Sequence, residues 1–161
     1  MEPDDHTHTP MTPRLVSIDG RYTIELELRP LSAPEHRDWL GYDIRMIDVT
    51  TGARCSLEMA DGHQLFLDRV NEPEAPALAV GLRTAIERGT PYVFEPIDER
   101  DFRLEVTPED ERARVRLRFA DTASPDEFAW PKGALVTREA LLSFASAIER
   151  AFAEVQKHYK P

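Results

Sequence analysis

Residues 112–119 read RARVRLRF, an arginine alternating with an apolar residue four times over. In an extended chain, successive side chains point to opposite faces of a sheet. Arg112, Arg114, Arg116 and Arg118 therefore share one face, and Ala113, Val115, Leu117 and Phe119 share the other. The segment DFRLEV (residues 101–106) alternates in the same way, and TPEDER between the two supplies a turn. An antiparallel hairpin follows. Pairing Val106 with Ala113 sets Leu104 against Val115 and Phe102 against Leu117. On the polar face it sets Glu105 against Arg114, Asp101 against Arg118 and Arg103 against Arg116, with Glu25 or Glu27 of a neighbouring strand available to that last pair. Complementary cross-strand pairs contribute a few tenths of a kcal/mol up to about 1 each.

Four guanidinium groups in a row resemble a phosphate track, but their surroundings oppose that function. The 161-residue chain has a formal net charge of −10, which disfavours attraction to nucleic acid or an anionic membrane. Residues 95–111 alone hold eight acids against Arg100 and Arg103, a local charge of −6 just before the arginines. Aromatic stacking platforms for single strands are missing from the same strand face. The strip reads as a self-neutralised outer sheet face, with no nucleic-acid partner expected.

Along the chain, residues 1–13 are polar, proline-punctuated and aperiodic, which predicts a flexible acidic tail, and Met11 is a second possible start. Residues 14–161 read as one domain. RYTIELEL (residues 21–28) is a half-buried strand with Tyr22, Ile24, Leu26 and Leu28 on its apolar face. WLGYDIRMIDV (residues 39–49) is a second strand whose alternation changes phase between Met46 and Ile47, which predicts a bulge or burial on both faces. Ala60-Asp61-Gly62 predicts a hairpin between RCSLEM and HQLFLD. YVFEP and ALV are further short strands.

Two segments have helical spacing. In residues 74–91, Leu78, Leu82, Ala85 and Ile86 share a face, Pro76 suits the first turn, and Gly89 and Pro91 stop the helix. After Thr137, a plausible N-cap, Leu141, Phe144, Ala145, Ile148, Phe152, Val155 and Tyr159 recur at threes and fours. The expected architecture is α+β: a mainly antiparallel sheet of about six to seven strands, with two main helices and the C-terminal one packed on the sheet.

Chemistry-bearing motifs are absent. The seven glycines are scattered, and no nucleophile elbow, zinc-protease motif or cysteine pair occurs. The single Cys55 lies in a strand and reads as a small buried apolar residue, and one cysteine forms no internal disulfide. His6 and His8 beside Asp4 and Asp5 form a metal-compatible group in the leader, with no partner at metal spacing elsewhere. His36, His63 and His158 have no acid-base partner nearby in sequence. The expectation is no enzyme, no cofactor and no bound metal. No apolar run approaches the roughly 20 residues needed to span a bilayer, and no secretory signal is visible, so the expected location is cytoplasmic.

Binding features are more visible. Asp98, Glu99 and Asp101, with Glu109, Asp110 and Glu111, make acidic turns suited to a basic partner. DEFAWPKG offers Trp130 as an aromatic anchor or as a lid on the core, and Trp39 has the same two readings.

The order of elements, with Asp38-Trp39 before the second strand and Phe94-Glu95-Pro96 before the hairpin, resembles the WapI-like bacterial immunity proteins of polymorphic toxin systems. The likeness would run over about residues 20–158. It implies a non-enzymatic inhibitor that binds a cognate toxin, as a monomer or homodimer. Two other readings stay open: a small-ligand protein or enzyme with a pocket between the sheet and the C-terminal helix, and an oligomeric structural protein.

Overall fold

The computed structural model describes residues 12–61, 65–97, 101–119 and 133–159. Its first sheet contains β1 (Arg14–Val16), β2 (Tyr22–Arg29), β3 (Trp39–Asp48), β4 (Arg54–Leu57) and β5 (Phe66–Asp68). Its second contains β6 (Tyr92–Phe94), β7 (Phe102–Glu109), β8 (Arg112–Phe119) and β9 (Ala134–Thr137), in that order. All pairings are antiparallel. The helices are α1 (Glu74–Arg88) and α2 (Arg138–Gln156). The α+β class is the one the sequence implies. Among the described residues the strands number nine in two sheets rather than six or seven in one, and the strand absent from the sequence reading is β1, which is three residues long and carries too little alternation to read.

One core joins everything. Leu26, Ile44 and Leu67 of the first sheet, Leu104 and Val115 of the second, and Leu82, Phe144 and Ile148 of the helices belong to a single buried cluster. The α2 helix rests on β1, β2, β8 and β9, and α1 rests on β5, β6 and β7. Arg83 of α1 grips Glu149 of α2 through two bonds of 2.6 Å. The backbone N–H of Ile18 donates to the Leu135 carbonyl at 2.8 Å, which ties the two sheets at their β1 and β9 sides.

The start of α2 and the end of α1 follow the predicted signals. The Thr137 hydroxyl accepts the Ala140 N–H at 2.9 Å and so caps α2. Gly89 takes the left-handed conformation (φ 63°) that closes α1. The buried stripes include the predicted Leu78, Leu82, Ala85 and Ile86 in α1, and Leu141, Phe144, Ala145, Ile148 and Val155 in α2.

Two local expectations are corrected, and a third is decided between its two alternatives. The β3 strand pairs with β2 in unbroken register from Gly41 to Asp48, without a bulge, and is buried on both faces between Leu40 and Ile44. The hairpin expected at Ala60-Asp61-Gly62 is not formed: β4 and β5 lie end to end along one edge of β3. Leu57 faces Ile44 and Phe66 faces Gly41, so β5 resumes on the same edge three residues further along β3. The Asp43 carboxylate accepts the Met59 N–H at 2.7 Å, and the Met59 side chain fills the space beside Gly41. In β7–β8 the loop is only Asp110-Glu111, with Asp110 at φ 56°, so the register is displaced by two residues from the expected one. A shift of two preserves which face is buried. It changes every cross-strand partner.

Candidate partner-binding site

The arginine strip has the predicted faces. Ala113, Val115, Leu117 and Phe119 are buried, whereas Arg112 and Arg118 are exposed and Arg114 and Arg116 half-buried. Its partners differ from those expected. Glu105 lies opposite Arg116 and bridges it to Arg103, with a 2.7 Å contact to Arg103. Glu109 takes Arg114 at 2.7 Å, and this bond holds the Glu109 carboxyl below its ordinary range. Arg103 lies opposite Arg118, and Asp101 does not pair with Arg118 in the strand register. Glu25 and Glu27 belong to the other sheet, where they serve Arg14, Arg29 and Arg45.

The outer face of the first sheet has a second ion-pair network. Arg45 lies within 3.6 Å of Glu25, Glu27, Asp43 and Glu58. Burial works against its charge, but these carboxylates outweigh burial and raise its pKa. Arg14, Arg29 and Arg54 pair with the same carboxylates, so four arginines balance the four acids.

The acids expected to receive a partner separate into two groups. Asp98, Glu99 and Trp130 lie outside the described residues, as do His6, His8 and His63. Asp101 precedes β7, half-buried, with the Tyr42 hydroxyl 3.5 Å from its carboxylate. Glu109, Asp110 and Glu111 stand at the other end of β7, about 25 Å away at the rise of a strand. Glu109 is committed to Arg114, and Asp110 lines a cavity with Arg88, Arg112 and Arg138. Asp101 and the Glu109–Glu111 turn do not form one surface.

The end that carries Asp101 gathers features from distant parts of the chain. Glu74, the first residue of α1, is buried, and its carboxylate accepts backbone N–H groups from Asp68 (2.6 Å) and Ile97 (2.5 Å). That clasp draws the segment after β6 towards the end of β5. Asp68 is the register partner of Trp39. Trp39 stacks on Phe66 at 5.9 Å with their planes 10° apart, and His36 packs on Phe66 at 4.7 Å. All three rings are half-exposed. Trp39 is thus a surface aromatic with one face covered, and neither a core residue nor an isolated one.

Acids and apolar side chains flank this cluster. Glu35 and Asp38 are exposed beside the rings. Between the start of α1 and β6 lies a groove of about 530 Å³, with Glu72 and Glu95 among its walls. Val93 and Ile97, 44% and 55% exposed, also line it. Behind the rings, the Tyr159 hydroxyl donates to the Trp39 carbonyl (2.8 Å) and accepts the Leu31 N–H (3.0 Å). The Arg69 guanidinium sits 3.7 Å over the Tyr159 ring and also holds Gln156 and the Arg37 carbonyl. The platform is therefore fixed to the end of α2. Sequence reasoning singled out Trp39 but missed Phe66 and Glu74: the first is one apolar residue in a short strand, the second one acid among thirty.

The remaining histidines do not build an acid-base site among the described residues: His36 packs on rings and His158 is exposed near the end of α2. Cys55 is buried in the core. Among the described residues no group of three His, Cys, Asp or Glu side chains is placed to hold a metal ion. Leu141, Phe144, Ala145 and Ile148 of α2 are buried in the core shared with the sheets. No helix among the described residues is long and apolar enough to cross a membrane. Comparison with known proteins finds no matching family model, no matching curated protein and no matching solved structure.

Proposed function

We propose that this chain is a non-enzymatic binding protein of the immunity type, which neutralises a cognate toxin by docking a basic surface of that toxin. The carrying observation is the joining of Trp39, Phe66 and His36 to Glu35, Asp38, Glu72 and Glu95 at one end of the molecule through the Glu74 clasp. Partly exposed aromatics beside apolar groove walls are the anchors that carry most of the energy at protein interfaces. Carboxylates around them add electrostatic steering and attract a partner's lysine or arginine onto the ring faces. Many toxins that act on nucleic acid present a basic groove, and a protein of net charge −10 is matched to such a target.

Affinity capture of the tagged chain from native lysate at low and high salt, with mass spectrometry, tests this reading. The expected result is one basic protein recovered at low salt, whose activity the chain inhibits, and which is lost on reversing charge at Asp98, Glu99 and Asp101. Equal recovery by the charge-reversed chain would contradict the proposal.

A further inference from the structure

A second site lies at the opposite end of β7. There Arg88 at the end of α1, Arg112 at the start of β8 and Arg138 at the start of α2 line one cavity of about 370 Å³, together with Gly89 and Pro108. The chain is strongly acidic, and most described arginines have a carboxylate beside them, as Arg45, Arg83 and Arg114 do. None of the three cavity arginines forms an ion pair among the described residues, although Glu87 and Asp110 also line the cavity. Arg138 gives one donor to the Ile86 carbonyl at 3.3 Å, which orients the side chain and leaves its other N–H groups available. Arg88 and Arg112 are exposed. Guanidinium forks match the geometry of phosphate oxygens, and each gains a charge-assisted bond there.

We infer that this cavity binds a small oxyanion, a phosphate group carried by a small molecule. Arg88, Arg112 and Arg138 converge on it from three separate elements, whereas Arg114 and Arg116 of the strip are engaged with Glu109 and Glu105. Three cations and two acids line the cavity, and Glu109 across from Arg112 is bonded to Arg114, so the three guanidinium groups can draw an anion locally while the chain as a whole repels a polyanion. This explains how one part of the strip can bind phosphate without the protein becoming a nucleic-acid binder.

The test is titration of the full chain with inorganic phosphate and pyrophosphate, followed by amide chemical shifts. Sodium chloride at matched ionic strength serves as the control. Saturable shifts centred on Gly89, Arg112 and Arg138 are expected. Arg88→Gln and Arg112→Gln should each weaken binding about tenfold, the loss of one charge-assisted contact, while Arg112→Lys keeps part of it. Because Arg88 and Arg112 are exposed, these variants should unfold at the wild-type temperature without anion. Shifts that chloride reproduces, or that the two glutamine variants leave unchanged, would overturn the inference. Tighter binding of a duplex oligonucleotide than of pyrophosphate would overturn it as well, since the ligand would then be nucleic acid.

Discussion

Glu74 and Ile97, 23 residues apart in sequence, are joined by a 2.5 Å bond from the Ile97 backbone N–H to a buried carboxylate oxygen. The second oxygen of the same carboxylate takes the N–H of Asp68. One acid at the start of α1 thus satisfies the backbone at the end of β5 and in the segment after β6 and sets the two side by side. Without it, two N–H groups lose their acceptor, and the segment leading to Asp101 loses its anchor to the aromatic end.

Glu74→Ala should therefore destabilise the fold by about 1–3 kcal/mol, the usual cost of leaving buried donors unsatisfied. Glu74→Gln keeps one acceptor oxygen but brings an NH₂ group against a backbone donor, so it should recover only part of that loss. Urea unfolding of the three proteins measures both differences. Wild-type stability in Glu74→Ala would show that the clasp is not structural.

Gly81→Ala should also destabilise, although alanine is favoured over glycine in a helix by about 1 kcal/mol. A methyl group built on Gly81 would sit 2.1 Å from the Tyr92 ring, which lies against α1. Overpacking of this kind costs about 1–3 kcal/mol. A trimmed ring, as in Tyr92→Ala, should remove the clash, so Gly81→Ala should cost less in that background than in the wild type. A rise in thermal stability for the single Gly81→Ala variant would contradict the packing described.

Arg45→Ala should leave Asp43, which is buried, without its nearest neutralising group on β3 and leave Glu25, Glu27 and Glu58 facing one another. Since Arg29 still bonds Asp43 at 2.7 Å, the loss should be up to about 3 kcal/mol rather than the full cost of an unpaired buried charge. Chemical unfolding at low salt gives the value, and a loss no larger than that of the exposed Arg54→Ala would argue against a hub.

Acid should weaken the fold through carboxylates held below their ordinary range. Arg21 does this to Asp48, Arg83 to Glu149 and Arg114 to Glu109. At Glu58 burial pushes upward, but the Ser56 hydroxyl and Arg54 outweigh it. In each case the unfolded chain binds a proton more readily than the folded one. Their contribution is then fully present above the unfolded carboxylate range of about 4 to 4.5 and is lost as pH falls through and below it. Unfolding free energy should be flat between about pH 5.5 and 7.5 in these groups, then decline. A rise in stability on acidification to pH 3 would refute this assignment.

Much of the fold was legible because burial obeys simple periods. The stripe from Leu141 to Val155 and the alternation from Arg112 to Phe119 each have one solution that hides the apolar side chains. The two-sheet division was not legible, since nothing local says that β5 and β6, separated by α1, will avoid pairing. The placement of Met59 after β4 depends on the Asp43 carboxylate and the space beside Gly41, which are contacts across the fold and not local propensities. Register in β7–β8 depended on whether the turn held two residues or six, and Asp110 at positive φ decides it. The candidate site was legible only in part: its acids were visible, but Phe66 and the Glu74 clasp acquire meaning from residues distant in sequence.

The most direct test compares charge reversal at the two ends of β7. With the captured partner immobilised, association is measured across salt for Glu95→Lys/Asp101→Lys and for Glu109→Lys/Glu111→Lys. The account predicts that the first pair slows association about tenfold or more at low salt and flattens its salt dependence, as removal of steering charges does. It predicts that the second pair, at the arginine-lined end, leaves association near wild type. Equal loss from both pairs, or loss from the second alone, would contradict a binding surface at the Trp39 end.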